Sequence, residues 1–148
     1  MTVREAAPGE LGALLELYLH LHENRMPEDM TPFRRAWAQI LADENHHVVV
    51  CEAEREIVSS CVCVVVPNLT RSARPYALVE NVVTRADCRH RGYASACLAR
   101  AVEIARAAGC YKIMLLTGAK DDATLDFYRR AGFNDGDKTA FIRWINKE

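Results

Sequence analysis

The sequence predicts one mixed α/β domain, and three observations lead there. Runs rich in β-branched residues at 46–51, 57–66, 76–84 and 111–117 carry the vocabulary of strands. Around them, residues 11–22, 31–41 and 94–105 place apolar side chains at helical spacing. In the second half the order is strand, helix, strand, which requires a right-handed crossover and parallel pairing beside a first half that reads as hairpins. The order β-α-α-β-β-β-α-β-α-β therefore gives a mixed, mostly antiparallel sheet flanked by helices, not a doubly wound one.

Each element has a local reason. Residues 2–6 fit a short strand, and Pro8 and Gly9 lead into Leu11, Leu14, Leu15, Tyr18 and His22, one stripe of a helix. Residues 24–30 break the pattern. Thr31 and Pro32 start a second helix, the hydroxyl at the N-cap and the proline where its missing N–H costs nothing. Phe33, Ala36, Trp37, Ile40 and Leu41 follow on one face. Residues 48–51 and 57–66, separated by the charged 52–56, read as an antiparallel hairpin. Residues 67–75 read as a loop, in which Asn68-Leu69-Thr70 matches a glycosylation sequon by chance. After the strand at 76–84, Ala94, Cys97, Leu98, Ala101, Val102 and Ala105 form an amphipathic helix that Gly109 ends in the left-handed position. Residues 111–117 are nearly all apolar, the pattern of a strand buried on both faces. Asp121 or Asp122 caps the next helix, which turns Leu125, Tyr128 and Ala131 inward and ends at Gly132. Residues 140–145 alternate as a last strand, and one further short strand is expected near Phe133.

Composition narrows the function. The 148 residues hold 19 Lys and Arg against 20 Asp and Glu, a net charge of −1, and half the chain is apolar. That balance argues against a nucleic-acid partner bound through a domain-wide basic field, and against disorder. No apolar run approaches the roughly 18 residues of a membrane helix, and the opening Met1-Thr2-Val3-Arg4-Glu5 lacks the apolar core of a signal peptide. A cytoplasmic location is therefore expected, with the six cysteines as free thiols. Cys61 and Cys63 lie two apart, on one face of a strand, as small core residues. No cysteine pair has metal-ligand spacing, and neither His20 with His22 nor His46 with His47 shares a face, so no metal is expected.

The chemistry concentrates at residues 82–95. A strand runs into a glycine-bearing turn that opens a helix, so free backbone N–H groups and the positive end of the helix dipole converge where an anion can sit. Gly92 permits close approach, Ala94 keeps the next position small, and Arg89, His90 and Arg91 add donors. There is no lysine and hydroxyl residue after a glycine loop, as in nucleotide triphosphatases, and no dinucleotide-binding glycine triad.

Arg89-x-x-Gly92-x-Ala94 after the strand Glu80-Asn81-Val82-Val83-Thr84, with Asp126-Phe127-Tyr128-Arg129-Arg130-Ala131-Gly132-Phe133 beyond it, resembles the GNAT superfamily of acetyl-CoA-dependent N-acetyltransferases. The resemblance implies a sheet with a splayed pair of parallel strands and acetyl-CoA as co-substrate. It assigns the pyrophosphate to the backbone of Arg89, His90, Arg91, Gly92, Tyr93, Ala94 and Ser95. It assigns the pantetheine arm and the thioester carbonyl to backbone groups of Val82, Val83 and Thr84 beside a bulge. Tyr128 falls near the sulfur, and Asp121 stands where the family often has a cofactor-contacting asparagine. Glu80-Asn81-Val82-Val83 with Gly109-Cys110-Tyr111-Lys112-Ile113 is similar to the glucosamine-6-phosphate branch, which makes an amino sugar the alternative acceptor.

The reaction makes its own demands. The attacking amine must be neutral, so a base must take its proton, and a leaving thiolate of pKa about 8.5 benefits from an acid such as a tyrosine of pKa about 10. Tyr128 is the expected acid and Glu80 the expected base, acting directly or through water. Acetyl transfer is expected to go straight to a primary amine in a ternary complex, because no cysteine has a base placed beside it by position. Residues 10–30 hold five carboxylates against Arg25, a local −4, and Glu23, Glu28 and Asp29 in the loop are the expected contacts of a cationic amine. Arg85, Arg89, Arg91 and Arg100 against Asp87 give residues 85–100 a local +3 toward the anionic cofactor. The rival from another class is an acyl-CoA-binding sensor without catalysis. A homodimer joined at the terminal strand is the expected assembly, with no partner of nucleic acid or membrane.

Overall fold

The computed structural model describes residues 1–21 and 24–146. By internal contacts the chain divides into two compact units, Met1–Leu115 and Leu116–Glu148.

The first unit is a five-stranded sheet in the order β1 (Thr2–Glu5), β2 (His46–Ala53), β3 (Glu56–Val66), β4 (Tyr76–Thr84), β5 (Ile113–Leu115). Only β4 with β5 is parallel, and the other three pairings are antiparallel. The helices are α1 (Leu11–Tyr18), α2 (Thr31–Ala42), a single turn α3 (Thr70–Ala73), and α4 (Tyr93–Ala107), the crossover that parallel pairing requires.

Period-two alternation sorts β2 and β3 between two cores. Val48, Val50 and Val62 meet Leu14 of α1 and Trp37 of α2, with Leu11, Tyr18 and Ile40 at the margin. The indole N–H of Trp37 donates to the carbonyl of Pro8 at 2.8 Å and ties α2 to the turn before α1. On the other face, Val49 stands opposite Cys61 in the ladder. The sulfurs of Cys61 and Cys63 lie 3.5 and 3.8 Å from the carbonyls of Cys97 and Ala101. Cys97, Ala101 and Ala105 recur every four residues on α4, so small side chains line the helix where it crosses the sheet and thiols reach its backbone. The two cysteines do share a face, as expected.

Several boundaries differ from expectation. The α1 helix ends at Tyr18, and His22 lies outside the described residues. Thr31 is inside α2 rather than at its cap, because the Asp29 carboxylate accepts the Thr31 N–H at 2.9 Å one step earlier. Of the α2 stripe only Trp37 is buried, and Phe33 and Leu41 are exposed. The β2–β3 hairpin closes in two residues, Glu54 and Arg55, both with positive φ, as a primed turn demands. The loop at 67–75 contains α3, whose Arg71, Ser72 and Ala73 are left-handed. The Asn68 amide stitches that turn by donating to Thr70 and to the Arg74 carbonyl. The β5 strand covers only three residues, all half-buried, since the sheet order ends there and nothing in this unit flanks its outer edge.

In the second unit Asp121 caps α5 (Asp122–Arg130), its carboxylate accepting the Thr124 N–H at 2.9 Å and the Thr124 hydroxyl at 2.8 Å. At the other end Gly132, φ +98°, donates to the Arg129 carbonyl and Phe133 to that of Tyr128, at 3.0 and 3.1 Å. This reciprocal pair is a Schellman cap, and it replaces the short strand expected near Phe133. The expected last strand at 140–145 is likewise absent: residues 138–144 hold no helix or strand. Alternation specifies a strand only where an edge supplies its ladder, and the described residues of this unit contain no other strand.

Candidate active site

Regular pairing breaks in the middle of β4. Ser60 faces Val83 and Val62 faces Glu80, which leaves Asn81 and Val82 against Cys61 alone. This extra residue is a β-bulge, and Asn81 turns it with φ +52°, a region asparagine enters at less cost than most residues. The parallel ladder with β5 reaches Val79 and stops, one residue before Glu80. From there Val83 and Thr84 are paired with Ser60 and Ser59 of β3, Val82 lies in the bulge, and none of the three has a β5 register partner. On the paired side the hydroxyl of Ser59, wholly buried, donates to the Val83 carbonyl at 2.9 Å and lies 2.9 Å from the Thr84 hydroxyl. The bulge expected here is present.

Beyond Thr84 the chain passes a 3-10 turn, Ala86–Cys88, to Gly92, which caps α4 with φ +85° and offers no side chain to its first turn. A Cβ placed on Gly92 would meet nothing within 4 Å. The glycine is thus demanded by its backbone angle and not by crowding, and the space ahead of the helix is open. Ala96 is the residue whose N–H bonds back to Gly92, at 3.1 Å, so those of Tyr93, Ala94 and Ser95 head a 15-residue helix with its positive dipole end toward that space.

The cations divide. Arg85 binds Glu56 and, at 2.7 Å, Asp87, whose carboxyl it holds below the usual range. Arg100 binds Glu103 at 3.1 Å. Arg89, His90 and Arg91 remain exposed around the turn. Arg89 also donates to the His20 carbonyl at 3.4 Å, and the Ala86 N–H donates to His20 Nδ1 at 3.2 Å, which fastens the segment after α1 to the turn. The positive surplus expected over 85–100 therefore rests on Arg89 and Arg91.

The acidic segment is less free than its sequence implies. Glu10 accepts two bonds from Arg4, at 3.0 and 2.7 Å, and one from the Ala7 N–H, and Arg4 holds its carboxyl below the usual range. Asp29 is similarly lowered by the Thr31 N–H. Glu28 is exposed, and Glu23 lies outside the described residues. Glu80 is exposed immediately before the bulge. Tyr128 and Asp121 belong to the second unit, where the half-buried Tyr128 ring meets Phe127 edge-on at 5.1 Å.

The thiols are packing groups. Burial pushes the Cys97 thiol up to about 12 and that of Cys63 to about 11, and Cys61 higher still. Among the described residues no group of three or more His, Cys, Asp and Glu could hold a metal ion, and no helix is long and apolar enough to cross a membrane.

Sequence reasoning did not find Ser59, Asn81 or His20. Two serines in a valine-rich strand were a usable signal for the first, and an asparagine beside a glutamate in a strand for the second. Nothing local marks His20, whose partner is 66 residues away.

A bulged strand feeding a glycine-capped helix in a mixed sheet is the arrangement that the resemblance of the sequence implied. The model of the acetyltransferase (GNAT) family matches residues 13–133, and the chain belongs to that family. A solved structure from Agrobacterium tumefaciens str. C58, provisionally named an acetyltransferase, is 39% identical with a TM-score of 0.89, over 97% of this chain and 100% of that one. A glucosamine 6-phosphate N-acetyltransferase of Trypanosoma brucei brucei is 35% identical over 77 residues, 52% of this chain and 50% of that protein. An uncharacterized N-acetyltransferase of Methanocaldococcus jannaschii is 25% identical over 141 residues, 90% of this chain and 61% of that protein. The chain thus spans half to three-fifths of the length of these curated relatives.

Proposed function

We propose that the chain, acting as one domain over residues 1–148, is an N-acetyltransferase that moves acetyl from acetyl-CoA directly to a primary amine in a ternary complex. The observation that carries this is the Asn81–Val82 bulge, which frees the β4 edge just before the strand runs to the Gly92-capped helix. Acetyl-CoA supplies the activated thioester. The backbone of Val82, Val83 and Thr84 holds the extended arm of the cofactor by strand-like hydrogen bonds. Residues Arg89, His90, Arg91, Gly92, Tyr93, Ala94 and Ser95 hold its pyrophosphate, and the helix end, which no side chain caps, supports that assignment. Asp121 is a weaker contact, since its carboxylate is engaged in capping α5 and repels phosphate.

Glu80, exposed beside the bulge, takes the proton from the attacking amine directly or through water, and Tyr128 protonates the leaving thiolate. Glu28 and Glu23 draw in a cationic amine, with a smaller share from the engaged Asp29. The likeness of a 77-residue segment to the trypanosomal enzyme favours an amino sugar as the second reading of the acceptor. Six unbridged cysteines fit a cytoplasmic location.

The experiment is thiol release from acetyl-CoA across a panel of polyamines, amino sugars and their phosphates, aminoglycosides, amino acids and peptide N-termini. The expected result is release that depends on one class of amine. Tight CoA binding with no acceptor-dependent release would make the chain a non-catalytic acyl-CoA-binding module instead.

A further inference from the structure

We infer that His20 is a positioning residue for the turn between β4 and α4, and that its unprotonated ring holds that turn in place, so that acid loosens the cofactor. The inference rests on the reading that this turn binds coenzyme A.

The grip is built from the end of α1. Leu14 and Leu17 are buried and fix that helix on the sheet. Beyond Tyr18 the chain winds on more tightly: the N–H groups of Leu19, His20 and Leu21 donate to the carbonyls of Glu16, Leu17 and Tyr18 at 3.2, 3.0 and 3.0 Å. His20 therefore projects from an ordered helix end. It meets the turn twice, its Nδ1 accepting the Ala86 N–H at 3.2 Å and its carbonyl accepting from the Arg89 guanidinium at 3.4 Å. That carbonyl lies at the negative end of α1, where a cation is favoured. From β3 the same turn is held by the Val58 carbonyl, which accepts the Arg85 N–H at 2.8 Å.

The two grips respond differently to acid. The bond at Val58 is backbone to backbone and carries no titrating group. At His20 the donor is a backbone N–H, so Nδ1 supplies a lone pair and the ring proton sits on Nε2. An imidazolium has two donors and no acceptor, so protonation ends the Ala86 bond and adds a positive charge to the residue that Arg89 binds. The other charged groups near the ring in the chain are Glu16 one turn earlier on α1, the paired Arg85 and Asp87 on either side of Ala86, and His90 and Arg91 closer to Gly92.

Calorimetry of coenzyme A binding to the full chain at about pH 8 and about pH 5.5 tests this. His20→Ala should bind roughly 3- to 10-fold more weakly than the parent at the higher pH, the share of one such hydrogen bond, and nearly as well as the parent at the lower. His20→Asn offers an amide oxygen to Ala86 at either pH, so it should match the parent at the higher pH and exceed it at the lower. His90 and the phosphates of the ligand are common to all three proteins and cancel in the comparison. Nitrogen NMR of the neutral ring should place its proton on Nε2. His20 is exposed, so both variants should fold. If His20→Ala does not, the contrast between His20→Asn and the parent at the two pH values decides alone. Equal affinities at both pH values, or a neutral ring protonated on Nδ1, would overturn the inference and leave the cofactor reading standing. A parent chain that binds no coenzyme A would overturn both.

Discussion

The Ser59 hydroxyl reaches across from β3 to the carbonyl of Val83 at 2.9 Å, two residues beyond the left-handed Asn81. With the Thr84 hydroxyl at the same distance, it pins the strand where its regular pairing resumes after the bulge. A buried serine in a valine-rich strand is thereby explained: it holds the backbone that we propose binds the cofactor arm.

Ser59→Ala should cost about 1–2 kcal/mol in urea unfolding, because the Val83 carbonyl and the Thr84 hydroxyl each lose the partner that the buried hydroxyl supplied. It should also weaken CoA binding. A variant as stable as the parent with unchanged CoA affinity would mean the bond contributes nothing to holding the bulge.

Gly92→Ala tests the anion turn without crowding it, since the added methyl meets nothing in the protein. The left-handed angle costs a non-glycine residue about 1–2 kcal/mol, so a turn that relaxes should bind CoA roughly 5- to 30-fold more weakly by calorimetry. Unchanged affinity would place the pyrophosphate elsewhere.

Tyr128→Phe keeps the ring against Phe127 and removes the proton. The turnover number should fall about 10²- to 10⁴-fold with CoA affinity kept, and the alkaline limb of the rate profile should move. If rate and profile are unchanged, water or another group protonates the thiolate.

Acid should expose the Arg4 and Glu10 pair. Arg4 holds the Glu10 carboxyl below its ordinary range, so the stabilisation is complete above the unfolded carboxyl pKa of about 4.3 and is lost as pH falls through the lower folded value. Glu10→Gln should therefore cost up to about 1 kcal/mol at pH 7 and almost nothing near pH 2, measured by urea unfolding at both. A cost independent of pH would assign Glu10 to packing.

The thiols should be silent. With Cys61, Cys63 and Cys97 buried and their pKa values raised, native protein at pH 8 should label only at the half-buried Cys110, read by mass spectrometry after alkylation. An acetylated cysteine trapped from acetyl-CoA would overturn direct transfer to the amine.

Much of the fold follows from short-range chemistry. The caps at Asp121, Gly109 and Gly132, the helical stripe of α4, and the turn at Gly92 all stand where spacing within a few residues put them. Failures came where a segment's fate depends on distant neighbours. Phe133 looked like a strand until its N–H was spent on the Tyr128 carbonyl, and residues 140–145 alternate like a strand yet lie outside the sheet.

The same division runs through the site. Residues 82–95 declare a glycine-capped helix start by themselves, because left-handed glycine and small neighbour act through their own backbone. Among the carboxylates of 10–30, Arg4 takes Glu10 from six residues away and the Thr31 N–H takes Asp29 within a local turn, pairings that a count of charges does not show. Tertiary contact set Ser59 on Val83 and His20 on Arg89, across 24 and 69 residues. The physical reason is range. Dihedral preference and periodicity act between neighbours, whereas hydrogen bonds and ion pairs are settled by whichever group the folded chain brings within about 3 Å.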